Sequence, residues 1–287
     1  MRIANYIILV FLSLSVLGCV KELYDDDDFT LSNGGKCLSI YISSGESLKQ
    51  KTESIDLTSI EKIILSGKIA GENLAFLRKL SGGDDFEFLG GRKLGYLDMS
   101  DVSFQIGDEV YYTRGDEKLI IENSRDVPAY AFEYSYVLNT VVFPDYTIGA
   151  KYKIKRGAFK DCLLLRYVDW GTQISEIEDE AFMNCSTLAF GEVLVFPEGL
   201  SKIGNYAFKE THPNDVDLPS SITLIGNEAF SQIWGNVTIR SNVPPIISES
   251  SFIFYKNSKR KLFVPAGAVE RYKIEPYLTV FSEIKAL

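Results

Sequence analysis

Six times the chain sets a phenylalanine directly behind a small residue: Ala131-Phe132, Ala158-Phe159, Ala181-Phe182, Ala207-Phe208, Ala229-Phe230 and Ser251-Phe252. Successive phenylalanines are 27, 23, 26, 22 and 22 residues apart. A period near 23 with short insertions is the mark of a solenoid, in which each unit buries its apolar face only against its neighbours. Five residues before each Phe stands a branched aliphatic: Val127, Ile154, Ile177, Ile203, Ile225 and Ile247. Between these units lie short segments such as L-N-T-V-V-F-P (138–144), L-R-Y-V-D-W (165–170), V-D-L-P (216–219) and L-F-V-P (262–265). They alternate apolar with variable residues at period 2, as strands with one buried face do.

One such unit cannot cover its own apolar side, so units must stack strand beside strand, with the phenylalanines forming an interior ladder. Pro144, Pro197, Pro219 and Pro265 follow the strands and end them, because proline has no N–H to donate. Cys162 and Cys185 each come three residues after a ladder Phe, which assigns them to one repeated core position as small hydrophobes. The expected class is α/β leaning to β, with stacked parallel strands and short helical turns.

The pattern I-x-x-I-x-x-x-A-F, a turn, then L-x-x-V-x-F-P resembles the BspA-like class of bacterial leucine-rich repeats over residues 127–287. The closing segment L-F-V-P-A-G-A-V-E-R-Y-K (262–273) is similar to the end of that class as well. The resemblance implies a leucine-rich-repeat solenoid of a bacterial surface protein, with adhesion to host proteins or other cells as its role. Two stretches depart from the pattern: A-F-G-E-V (189–193), inserted before a strand, and E-T-H-P-N-D (210–215), where a cysteine-containing turn is usual.

Upstream, I-E-K-I-I-L-S-G (60–67) and L-G-Y-L-D-M-S-D (94–101) both read as leucine-rich strands. Leu74, Leu77 and Leu80 between them share one helical face. Cys37–Ile42 alternates as a strand and 45–55 suits a helix, so residues 37–126 are expected to be an N-terminal cap with an irregular leucine-rich region. At the N-terminus, Arg2 precedes an apolar run from Ile7 to Leu17, which is too short to span a bilayer and suits a secretory signal over residues 1–18. Its end, V-L-G-C, resembles the lipobox of bacterial lipoproteins. That resemblance implies lipidation at Cys19 and an outer-membrane protein held by its lipid, facing the cell exterior. Asp25–Asp28 cannot pack together in a core, so residues 19–36 read as a solvated acidic tether.

With 30 basic against 39 acidic residues, the net charge of −9 repels phosphate backbones, and nucleic acid is not an expected partner. Apart from Cys19 the cysteines are odd in number and lack C-x-x-C spacing, so neither a disulfide framework nor a metal site follows, and no cofactor is expected. The acidic run lacks the spaced loop that wraps calcium. The lone histidine, His212, lies near Asp215, but without a nucleophile elbow it reads as a loop residue. Glu178 and Glu180 read as surface charges, so no enzyme is expected.

What remains is binding. By the period of 2, Val142, Asp169, Val195, Asp217, Thr238 and Phe263 must point away from the core and form one continuous stripe across the strands, apolar at some steps and acidic at others. Such a stripe suits a protein partner, on the host or on a bacterial surface, with a basic or mixed face. A glycan-binding or envelope-assembly role is the alternative. It would call for exposed aromatic rings side by side, whereas the repeat assigns Trp170 and Trp234 to the interior.

Overall fold

The computed structural model describes residues 29–32, 36–83, 94–146, 149–254 and 259–287. The first part of the chain forms β1 (Phe29–Ser32), β2 (Cys37–Ile42), α1 (Leu48–Lys51), β3 (Lys62–Ile69), α2 (Gly71–Leu80) and β4 (Tyr96–Phe104). A hairpin follows, β5 (Tyr112–Arg114) and β6 (Glu117–Leu119). The repeats then supply β7 (Thr140–Val142), β8 (Tyr152–Ile154), β9 (Tyr167–Asp169), β10 (Ile174–Ile177), β11 (Val193–Val195), β12 (Lys202–Ile203), β13 (Asp215–Leu218) and β14 (Leu224–Ile225). The chain closes with β15 (Phe230–Ser231), β16 (Val237–Ile239), β17 (Ile246–Ile247), β18 (Phe252–Ile253), β19 (Lys261–Val264), α3 (Val269–Lys273) and β20 (Glu283–Ala286).

Each turn of the solenoid thus carries two kinds of strand, where the period-2 pattern identified only one. The leucine-rich strands build one face, as β1-β2-β3-β4-β7-β9 and then β11-β13-β16-β19-β20. All of these pairings are parallel except β1 with β2. The aliphatic positions before the phenylalanines build a second parallel sheet, β8-β10-β12-β14-β17, with Ile154, Ile177, Ile203, Ile225 and Ile247 in line. At two to four residues each, these strands are too short to show a period of their own. β1 occupies the end of the stretch expected to be tether, and β2 gives it a ladder to pair with.

Between the faces runs the phenylalanine ladder. The rings of Phe132, Phe159, Phe182, Phe208, Phe230 and Phe252 stack in sequence with centroids 5.3–5.7 Å apart, and all six are buried. That spacing follows from strands hydrogen-bonded side by side, roughly 5 Å apart. At the corners, each ladder Phe donates its N–H to the carbonyl of the residue before the next one, as from Phe159 to Ala181 at 2.8 Å and from Phe182 to Ala207 at 2.8 Å. The corners also require left-handed residues two before and two after the Phe: Tyr130 and Tyr134, Gly157 and Asp161, Glu180 and Asn184, Tyr206 and Glu210, Glu228 and Gln232, with φ from 50 to 73°. Nine of these ten carry a side chain, so the conformation is imposed by the stacking and not by local preference.

The slot three residues after each Phe is polar or small. Cys162 and Cys185 fill it as buried free thiols, each donating Sγ–H to the carbonyl of the preceding ladder Phe, Phe132 at 3.0 Å and Phe159 at 3.1 Å. In the next turn Thr211 takes the slot and donates to Phe208 O at 2.7 Å, then Ile233 takes it, also buried. Cys37 opens β2, buried, and is disulfide-bonded.

Candidate functional site

Asp98, Val142 and Asp169 stand in register across β4, β7 and β9. Val195, Asp217, Thr238, Phe263 and Lys285 stand in register across β11, β13, β16, β19 and β20. All six expected stripe residues therefore lie on the outer side of the strand face, half-buried or exposed, between neighbours that are mostly in the core. They do not form one unbroken stripe, because no strand pairing joins β9 to β11. The cause is the insertion at 189–193. Ala189 donates to Arg166 O at 3.1 Å, where the next strand should begin. The chain instead turns through left-handed Ala189 (φ 50°) and Gly191 (φ 80°), closed by Glu192 N–H to Ala189 O at 2.9 Å. Only then does β11 start.

The two acidic members differ in availability. Asp217 is held by Arg240, whose Nε and Nη2 donate at 2.8 and 2.6 Å, so its charge is matched within the chain. Asp169 is exposed and accepts only the turn N–H of Gly171 at 3.1 Å among the hydrogen bonds assigned to its side chain. The stripe is thus less acidic than its sequence reads.

Of the two tryptophans, Trp170 is interior, packed on Phe143, Phe182 and Phe196. Trp234 is not: it is 40% exposed, because Ile233 already occupies the core slot after Phe230 and the next side chain must point out. Gly235 fixes that turn, since a Cβ there would lie 1.0 Å from Asn214 O. Trp234 contacts Phe190, itself 44% exposed, edge to face at 5.3 Å, and His212 at the same distance. Three successive turns thereby bring one aromatic cluster to the surface. It arises from the two stretches that break the repeat, which is the only signal the sequence carried for it.

The other titratable residues have structural partners. His212 Nδ1 lies 3.3 Å from Ser186 O. Glu178 pairs with Lys155 at 3.1 Å, and Glu180 with Arg156 at 3.0 Å and Lys160 at 2.6 Å. Burial pulls the Glu180 carboxyl up, but Lys160 and Arg156 outweigh it and hold it below the ordinary carboxylate range, so it is ionised at neutral pH and no proton donor. Among the described residues, no three His, Cys, Asp or Glu side chains are grouped to hold a metal ion, and no helix is long and apolar enough to cross a membrane. Cys19, the apolar run before it and Asp25–Asp28 lie outside the described residues.

Among solved structures, the chain is similar to a leucine-rich repeat protein of T. pallidum, with 17% identity over 90% of this chain and 78% of that one, and a TM-score of 0.41. It is also similar to the pneumococcal vaccine antigen PcpA (13%, 87% and 67%, TM-score 0.45) and to a leucine-rich repeat protein from Bacteroides ovatus (15%, 93% and 74%, TM-score 0.36). No curated protein matches. The BspA type leucine rich repeat region matches in six copies over residues 104–233 and 152–271, beginning upstream of the boundary at 127 and covering more than half of the chain. The motif repeated through the phenylalanine ladder and the family match agree, and the chain belongs to the BspA-type leucine-rich repeat proteins.

Proposed function

We propose that this chain is a lipid-anchored protein of the outer membrane that faces the cell exterior and binds a protein partner through its leucine-rich strand face. The observation that carries the reading is the outward row of Val142 and Asp169, then Val195, Asp217, Thr238 and Phe263. These side chains contribute little to the core, so they are free to be shaped for a partner without cost to the fold. The anchor rests on the lipobox-like V-L-G-C and on the acidic tether. Cys19→Ala should move the protein from the membrane fraction to the soluble fraction, because one cysteine supplies the acyl attachment. Retention of the variant in the membrane would end that assignment. Acylation takes the Cys19 sulfur as a thioether, leaving it no part in a disulfide, and mass spectrometry of the peptide containing Cys19 tells the two apart.

For the face itself, Asp169→Lys is the sharper probe, since Asp217 is already matched by Arg240. Capture of a host or bacterial surface protein should weaken in this variant, and more so at low salt than at high. Affinity unchanged across the salt range would move the site off the row. A second reading, glycan binding, is favoured by one observation, the exposed Trp234 beside Phe190. A glycan array probed with the native chain and with Trp234→Ala separates the two.

A further inference from the structure

The strand face is open in one place. β9 is the last strand of its sheet and β11 the first of the next, although β10 and β12 behind them pair directly and the rings of Phe182 and Phe208 keep the 5.3 Å spacing. The opening is therefore confined to this face and leaves the core closed. Two sheet edges meet there. Tyr167 N–H donates to Asn139 O and Asp169 O accepts from Phe143 N–H, so both residues address β7. Alternation then turns the N–H and C=O of Val168 the other way, toward the seam. On the far side Glu192 O accepts from Asn214 N–H and Phe196 N–H donates to Asp217 O, which addresses these residues to β13 and turns the backbone groups of Val193 and Val195 toward β9. Neither ladder continues across.

Open edges are templates for another strand, and natural proteins blunt them with charge or proline. Here the edges carry Tyr167, Val193 and Val195, all exposed, with Phe190 and Trp234 beside them. From this geometry we infer that the seam between β9 and β11 is a strand-addition site for an extended polypeptide segment of a partner protein. Backbone hydrogen bonds to Val193, Val195 and Val168 would supply general affinity, and alternate side chains the selectivity. The exposed carboxylates of Asp169 and Glu192 border the seam, with Arg166 as the basic group nearest Glu192 at 4.0 Å. A segment alternating apolar with lysine or arginine matches both features. A sugar fits less well, because Phe190 and Trp234 meet at 68° and present no common flat platform. The inference deepens the protein-binding reading above and rests on it.

A labelled octapeptide of alternating valine and lysine is the probe, titrated against the full chain, with the same peptide N-methylated at every second amide as its control. Saturable binding is expected for the plain peptide, with at least tenfold weaker binding for the methylated one and slower amide exchange at Val193 and Val195 in the complex. Val195→Pro, which removes an edge N–H with no native ladder partner, should weaken the plain peptide by a similar factor while circular dichroism stays native. Equal affinity for the two peptides would overturn strand addition yet leave a side-chain-mediated protein-binding face standing. No saturation up to about 1 mM would overturn it as well. So would glycan binding that Trp234→Ala abolishes.

Discussion

Phe182→Ala is expected to lower the stability of the solenoid by about 3–5 kcal/mol, the range for losing a buried Phe. The ring has no exposed surface and stacks on Phe159 and Phe208 at 5.3 Å on either side, nearly parallel at 5° to each. Trp170 meets its edge at 5.4 Å and Phe143 at 6.5 Å. An alanine there leaves a void that the neighbours cannot close, because each is held in its own turn by backbone hydrogen bonds to the next. The position is also strategic. Solenoid stability is close to a sum of nearest-neighbour interfaces, so damage at a middle rung separates the turns before it from the turns after it. Urea denaturation should show a lower midpoint and a broader transition than Phe252→Ala, which lies nearer the C-terminal end. A loss below about 1 kcal/mol would mean that the ladder is not what holds the turns together.

The ladder was legible in the sequence because a solenoid repeats its core residues at a fixed period, and Ala-Phe is conspicuous at that period. The inward and outward assignment of the strand residues was legible for the same reason, through alternation about Val141, Leu194, Val216 and Leu262. What escaped was whatever depends on a single turn differing from the rest. The break between β9 and β11 comes from one four-residue turn, and nothing in A-F-G-E-V says whether extra residues bulge outward or part the strands. Trp234 was misplaced because two apolar residues, Ile233 and Trp234, compete for one interior slot, and only the Asn214–Gly235 contact decides between them. The partnering of Asp217 by Arg240 escaped too. The two residues are 23 apart, which makes them neighbours only once the stacking register is known.

The junction of cap and repeats hangs on a residue that no periodicity selects. Arg78, at the end of α2, has no exposed surface, and its Nη1 donates to Tyr130 O at 2.5 Å and to Ala131 O at 3.1 Å. The guanidinium also lies 3.7 Å from the centre of the Tyr112 ring. It therefore ties the capping helix, the β5–β6 hairpin and the first Ala-Phe corner into one packed unit. Nearby, the fully buried Glu133 carboxylate pairs with Arg114 at 3.2 Å, across the same junction. The fork of an arginine satisfies several carbonyls at once, which a lysine cannot do in that geometry. Arg78→Ala would leave two buried carbonyl oxygens without their donor, at about 1–3 kcal/mol each, and remove the cation from the tyrosine face. A total of about 2–6 kcal/mol follows, falling on the junction and not on the ladder. Arg78→Lys should recover only part of it. Hydrogen exchange reads the location: amides of β2 to β4 and of the corner at 130–135 should lose protection, while those of β13, β16 and β19 keep theirs. Equal loss along the whole chain would mean that cap and solenoid unfold as one cooperative body, and unchanged protection would mean that the capping helix is held by its leucines alone.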